Sequence, residues 1–206
     1  MSVFPKLKVY VQLLTPGCQV YVNPKGDWID VRAAKDVFLK YPQAGVQHME
    51  NGDNVRNVTF SNELVPLGIR VLLPKGCEAD LKPRSGTYEK FRVILANHVG
   101  TIDWPYNGPQ DEWKMNLISF GKCIIRGPKE ATPEDWDFYY SHPDKITIID
   151  GVVCGDRIGQ FRVNLSQKAS FRDKLRWLFS SGIEIVYVDN IDTVENRNGF
   201  SSSGVH

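Results

Sequence analysis

The sequence predicts an all-β fold, and three observations predict it. Gly, Pro, Asn or Asp interrupt the chain about every eight to twelve residues, the turn spacing of a sandwich or barrel. Between the interruptions lie short β-branched or alternating runs: KVYVQLL, WIDVRAA, NVTFS, IRVLL, FRVILA, ITIID, QFRVNL and IEIVYV. Helical patterning is confined to two places. With 206 residues the chain suits one good-sized core, so a single β domain over residues 1–189 is expected, followed by a flexible tail at 190–206.

In chain order, MSVFPKLKVYVQLL carries Lys6 and Lys8 among its apolar residues. It therefore reads as a first strand rather than as a signal peptide. WIDVRAA, NVTFS, IRVLL and FRVILA supply the next strands, each bounded by turn residues. ATPEDWDFYYSHPD then departs from the pattern: Thr132 caps a helix with Pro133 at its first position and Glu134 and Asp135 in its first turn. ITIID and QFRVNL return to strand. SQKASFRDKLRWLFSSG is the second exception, expected as a helix over about 170–179. Ser170 and Asp173 form a capping box, Phe171, Leu175 and Leu178 share one face to lie on the β body, and Gly182 stops the helix. IEIVYV is the last strand, and ENRNGFSSSGVH is the Ser- and Gly-rich tail.

Composition excludes several classes of function. A formal net charge of +1 provides no overall field for nucleic acid or an anionic membrane. No apolar run approaches the length of a membrane span. Cys18, Cys77, Cys123 and Cys154 are scattered with no CxxC pair, so neither a zinc framework nor a disulfide scaffold is expected. A reduced, cytoplasmic protein is the expectation.

Four short stretches carry chemistry for a polyanionic ligand. In PRSG, Arg84 offers a bidentate fork, Ser85 a hydroxyl, and Gly86 open backbone N–H groups. GDRIGQ is a tight turn entering a strand, with Gln160 able to donate to an anion. The tail sets Phe200 before Ser201, Ser202 and Ser203. In NHVGTIDWPYNG, Asn97 has a donor and an acceptor on one amide, able to read a base edge. Asp103 can orient and deprotonate a water, and Tyr106 can lay its ring against a sugar.

Together, in this order, these stretches resemble the trimeric deoxyuridine triphosphate nucleotidohydrolases (dUTPases), whose sequences carry five ordered motifs. ELVPLGIRVLLPKGCEADLKPRSG is similar to the family's run of strand, Pro-containing turn, strand and Arg-Ser-Gly, and the spacing from Arg84 to Asn97 matches. GTIDWPYNG resembles the third motif, GDRIGQ the fourth and GFSSSG the fifth, while WIDVRAA is a degraded first motif around Asp30.

The resemblance implies a dUTPase-like β-barrel or jelly roll, here with two short helical insertions. It implies hydrolysis of dUTP to dUMP and pyrophosphate, with Asp103 positioning the water that attacks the α-phosphorus. Asn97, Gly100 and Ile102 belong to a narrow uracil-reading hairpin, with Asp103 delivered from a buried strand and Tyr106 on the deoxyribose. Arg84, Ser85, Gly86 and Gln160 meet the phosphates. From the tail, Phe200 covers the uracil, while Arg197, Ser202 and Ser203 reach the outer phosphates. Mg2+ is implied on the triphosphate oxygens and water, with Asp30 as a weaker candidate ligand. A homotrimer with sites between subunits is implied as well.

This chain departs from the family pattern at several positions. Glu195 stands where the tail usually has Arg, leaving Arg197 as its replacement, and Ser201 replaces a Gly. Trp104 and Pro105 replace small or polar residues, to line the water site or to pack outward at a subunit contact. Residues 121–150 read as an insertion of the kind seen in some phage enzymes of this family, which points to a bacterial or phage-infected cell and offers a docking surface for a protein partner. Two alternatives stay open. A dCTP deaminase shares the fold, but is expected to carry Arg-Ser-Ser, a Trp or Phe in place of Tyr106, and Glu at position 113; here Glu112 is one place early. A nucleotide-gated regulatory protein of the same fold is the other.

Overall fold

The computed structural model describes residues 4–39, 42–52, 54–120 and 151–191. Its core is built by strand alternation, since successive side chains of a strand point to opposite faces. Strand β1 (Leu7–Leu13) buries Leu7, Val9 and Val11. Four more strands precede the central part of the chain: β2 (Tyr21–Val22), β3 (Ile29–Arg32), β4 (Val37–Phe38) and β5 (Gln43–His48). They are followed by β6 (Asn54–Thr59), β7 (Asn62–Pro66) and β8 (Ile69–Leu72). Strand β9 (Cys77–Pro83) buries Cys77, Ala79 and Leu81. After a single helical turn, α1 (Thr87–Phe91), come β10 (Val93–Leu95), β11 (Gly100–Asp103) and β12 (Lys114–Ser119), the last burying Met115, Leu117 and Ser119. The described chain ends with β13 (Gly151–Val152), β14 (Arg157–Leu165), α2 (Phe171–Leu178) and β15 (Ile183–Val188).

The strands form a five-stranded sheet in the order β11-β9-β14-β3-β2 and two three-stranded sheets, β15-β1-β8 and β10-β12-β7. Strand β1 runs parallel to β15 and antiparallel to β8. Two ribbons, β13-β4 and β5-β6, complete the described strands. Trp113 links the sheets: its N–H donates to the Ile69 carbonyl at 3.0 Å, and its own carbonyl accepts from Leu67 N–H at 2.9 Å. Its ring is fully buried, edge-on to Phe161 with centroids 5.1 Å apart. Among the described residues, no helix is long and apolar enough to cross a membrane.

The all-β expectation holds. IEIVYV forms β15, and KVYVQLL and IRVLL supply β1 and β8. Only the VIL of FRVILA is strand, because Phe91 closes α1 instead. ITIID and the helix expected after Thr132 lie outside the described residues, as does the whole 121–150 insertion.

Helix α2 has the expected capping box: Ser170 Oγ accepts from Asp173 N–H at 3.2 Å, and Asp173 Oδ2 accepts from Ser170 N–H at 3.2 Å. Its orientation is the reverse of the expectation. Asp173 is buried and Trp177 half-buried, whereas Phe171 and Leu178 are 76% and 71% exposed and Leu175 is exposed as well. The reason lies at Gly76, whose backbone (φ +79) leaves room for Asp173; a Cβ there would stand 2.7 Å from the Asp173 Cβ. Fixing Asp173 and Trp177 inward turns the apolar stripe out.

One irregularity bears directly on function. Strand β14 shifts register between Arg157 and Gly159, so Ile158 and Gly159 are buried in succession. Residues three apart on a regular strand face opposite sides. The bulge rephases the strand and brings Arg157 and Gln160 into one cleft.

Candidate functional site

The candidate residues fall into two groups, set at opposite ends of β9 and along its edge. Where β9 ends, residues 84–86 turn into α1. This turn is fixed by a buried threonine: Arg84 N–H donates to Thr87 Oγ1 at 3.0 Å, and Thr87 N–H donates back to the Arg84 carbonyl at 3.0 Å. The same Thr87 hydroxyl donates to the Ile158 carbonyl at 2.9 Å, tying the turn to β14. Nothing lies within 4 Å of the place a Gly86 Cβ would take, so the backbone there is open to an approaching ligand.

Asp30 organises the charge of this group. Its Oδ1 lies 3.0 Å from Arg84 Nε and its Oδ2 lies 3.2 Å from Arg157 Nη1. Register places Asp30 on β3 beside Gln160 on β14, which in turn stands beside Lys82 on β9. Asp30, Arg84, Ser85, Arg157 and Gln160 line one cleft of about 380 Å³. A second cleft, of about 430 Å³, shares Arg84 and Arg157 and adds Gly86, Arg32, Lys90 and Asp156. Across the two clefts the cations Arg32, Arg84, Lys90 and Arg157 outnumber the carboxylates Asp30 and Asp156, so the site is locally positive although the chain is nearly neutral. Arg157, Arg32 and Lys90 were missed by sequence reasoning; Arg157 stood inside the quoted GDRIGQ, and its charge was the available signal.

Replacing Asp30 by Ala is expected to raise KM for the phosphorylated ligand several-fold, because both arginines lose their anchor. Folding stability should fall by about 1–3 kcal/mol, a range that allows for the solvent exposure of both guanidinium groups. Urea denaturation and a substrate titration check both parts.

The second group runs along the sheet edge. Asn97 is exposed in a turn closed by His98 N–H on the Leu95 carbonyl at 3.1 Å, with His98 in the left-handed region (φ 60). Strand β11 then carries Gly100, half-buried Ile102 and exposed Asp103 along β9, with Asp103 opposite Glu78. Two expectations are corrected here. Strands β10 and β11 do not pair as the two arms of a hairpin, because β10 joins β12 and β11 joins β9. The tight turn through His98 redirects the chain from one sheet to another. Asp103 comes from an edge strand, not from a buried one.

After Asp103 the chain turns again, with Tyr106 N–H donating to the Asp103 carbonyl at 3.0 Å. Trp104 packs against the rim of the core rather than outward, with Lys75 Nζ 6.0 Å from its ring centroid. Asn107 is buried and donates through Nδ2 to the Trp104 carbonyl at 2.9 Å, while Asp111 Oδ2 accepts from Gly108 N–H at 2.7 Å. Tyr106 is half-buried against the core, its hydroxyl 3.5 Å from the Glu112 carbonyl. Glu112 itself accepts from Gly68 N–H at 3.0 Å, which commits this carboxylate to backbone structure and counts against a deaminase role.

Burial, with Asp111 and Glu112 nearby, pushes the Tyr106 phenol up to about 12. In the unfolded chain it ionises near pH 10. The stability held by the neutral phenol is therefore complete below about pH 10 and is lost as pH climbs towards the folded value. Tyr106→Phe, with no proton to lose, is expected to flatten that loss. Cys77, raised by burial to about 11, titrates in the same window in both proteins, so the difference isolates Tyr106. Urea midpoints measured across the window provide the check; equal alkaline slopes would contradict it.

Thus Asp30, Arg84, Ser85, Gly86 and Gln160 are brought together, and Asn97, Gly100, Ile102, Asp103 and Tyr106 follow one edge strand and its turns. The two groups do not meet within one chain. Arg197, Phe200, Ser202 and Ser203 lie outside the described residues. No group of three His, Cys, Asp or Glu able to hold a metal is found among those described. Asp30 does not fit as a magnesium ligand either, since each of its oxygens faces a guanidinium.

No family model matches the chain. It is 42% identical over 180 residues to the SPbeta prophage-derived deoxyuridine 5'-triphosphate nucleotidohydrolase YosS of Bacillus subtilis, covering 87% of this chain and 85% of that protein. Among solved structures it is similar to the dUTPase of Staphylococcus bacteriophage 80alpha, at 17% identity with a TM-score of 0.50 over 96% of this chain and 98% of that one. A variant of the dUTPase from phage phi11 of S. aureus, which coordinates a structural Mg(II) ion, is 18% identical with a TM-score of 0.50 over 79% and 94%. These structures share the fold, and the prophage relative sets the kinship: the chain belongs to the deoxyuridine 5'-triphosphate nucleotidohydrolase family.

Proposed function

We propose that this protein hydrolyses dUTP to dUMP and pyrophosphate by attack of water on the α-phosphorus. Asp103 orients that water and accepts its proton. Displacement at phosphorus requires mainly positioning and charge stabilisation, and the residues divide those tasks. Arg84, Ser85, the open Gly86 backbone and Gln160 hold phosphate oxygens, with Asp30 setting the Arg84 and Arg157 guanidinium groups. Asn97 and the backbone through Gly100 and Ile102 read the uracil edge, and Tyr106 offers its ring to the deoxyribose. Arg197, Phe200, Ser202 and Ser203 are assigned to the outer phosphates and the uracil on resemblance alone. Magnesium, as in the phi11 protein, would neutralise the triphosphate while held by its oxygens and by water.

The observation that carries this reading is the division of one strand. Asp103 stands opposite Glu78 on β9. Arg84 follows Glu78 by six residues, about 20 Å along the strand. A triphosphate is far shorter than that, so the phosphate cluster of one subunit serves the Asp103 of another. A closed threefold homotrimer in the cytoplasm meets this requirement. The test is pyrophosphate release from dUTP, run beside dCTP, dTTP and UTP. Turnover of dUTP alone is expected, and ammonia from dCTP would place the chain with the deaminases.

A further inference from the structure

Arg70 lies on β8 directly opposite Gln12 on β1, between core residues Ile69 and Val71. Its neighbours fill the core, so alternation sends its side chain to the other face of the sheet. It is nevertheless only 4% exposed. Its hydrogen bonds reach the turn after Asp103 and the segment after β15. Nη2 donates to the Asn107 carbonyl at 2.7 Å and lies 3.5 Å from the Ile191 carbonyl, while Nη1 donates to Gln12 Oε1 at 2.8 Å. Gln12 makes the clamp double: its Nε2 donates to the Asp189 carbonyl at 2.9 Å, and its Oε1 accepts from Ile191 N–H at 3.3 Å.

This is a costly arrangement. Burial lowers the Arg70 pKa, against the opposing pull of Asp111, and the Arg70 Nε has no partner among the described residues. An apolar side chain would fill the same space without that penalty. What only a guanidinium does is present several fixed donors in one plane. Here they join two chain segments far apart in sequence, one of them the turn that follows Asp103 and Tyr106.

We propose that Arg70, braced by Gln12, is a positioning residue for the reaction, fixing the 104–108 turn against residues 189–191 so that Tyr106 and Asp103 keep their places. The inference rests on the dUTPase reading above. Its specific consequence concerns the sugar. If Tyr106 meets the deoxyribose, loosening the turn relaxes the discrimination between dUTP and UTP, whereas mere loss of folded protein lowers both rates together.

The experiment compares wild type, Arg70→Met, Arg70→Lys and Gln12→Met, each with kcat and KM for dUTP and UTP, beside urea denaturation of the same preparations. Arg70→Met is expected to lose about tenfold or more in kcat/KM for dUTP, with a smaller loss for UTP, so the ratio between the substrates shrinks. Arg70→Lys should not restore the ratio, since a single ammonium cannot span the same acceptors. Gln12→Met should shift the ratio in the same direction by less. An unchanged ratio in folded Arg70→Met overturns the inference; should that variant not fold, an unchanged ratio in Gln12→Met does so. Absence of dUTP turnover in wild type would instead remove the dUTPase reading itself.

Discussion

Replacing Asp103 by Asn is expected to lower dUTP turnover by about a hundredfold or more while leaving nucleotide affinity within a few-fold. The amide keeps the size and some of the hydrogen bonding of the carboxylate, but it cannot accept the proton of an attacking water. Asp103 is exposed at the end of an edge strand, with its backbone held by pairing to β9 and by the turn to Tyr106. The substitution should therefore leave the fold intact. Steady-state rates beside a binding titration with a non-hydrolysable dUTP analogue check both halves. Residual turnover within a few-fold of wild type would remove Asp103 from the chemistry.

The second large effect comes from mixing two inactive proteins. Asp103→Asn lacks the proton acceptor and Arg84→Ala lacks the phosphate fork, so each alone should be nearly inactive. If each site takes Asp103 from one subunit and Arg84 from its neighbour in a closed ring, a mixed trimer contains one junction with both groups intact. Co-expression, or dissociation and reassembly, is then expected to restore about one site in three in every mixed trimer. Recovery requires no new contact, only the division of labour between the two ends of β9. Mixed assemblies that stay as inactive as their parents would mean that both groups act from the same chain.

Much of this was legible in the sequence because the short motifs keep their order and spacing. Strands β1, β8 and β15 were legible from β-branched residues. Strand β9 was harder to see, since Cys77 and Ala79 are small and the outward residues between them are charged. Strand β12 was hidden likewise by Lys114 and Asn116 on its less buried face. Helix α1 is one turn held by buried Thr87 and Phe91, too short for any period to announce it. For α2 the apolar face was correctly identified and wrongly oriented, because a hydrophobic stripe does not say what opposes it. The site shows the same limit. NHVGTIDWPYNG gave the residues of the edge group but suggested a hairpin, while the partners of β10 and β11 come from strands remote in sequence. Arg70 gave no local signal, because its significance depends on three segments that meet only in the fold.

The most direct test of the central claim is a single turnover of dUTP in heavy-oxygen water, with both products analysed by mass. Water attack on the α-phosphorus predicts the heavy oxygen in dUMP and none in pyrophosphate. Heavy oxygen in pyrophosphate, or release of dUDP with inorganic phosphate, would contradict it.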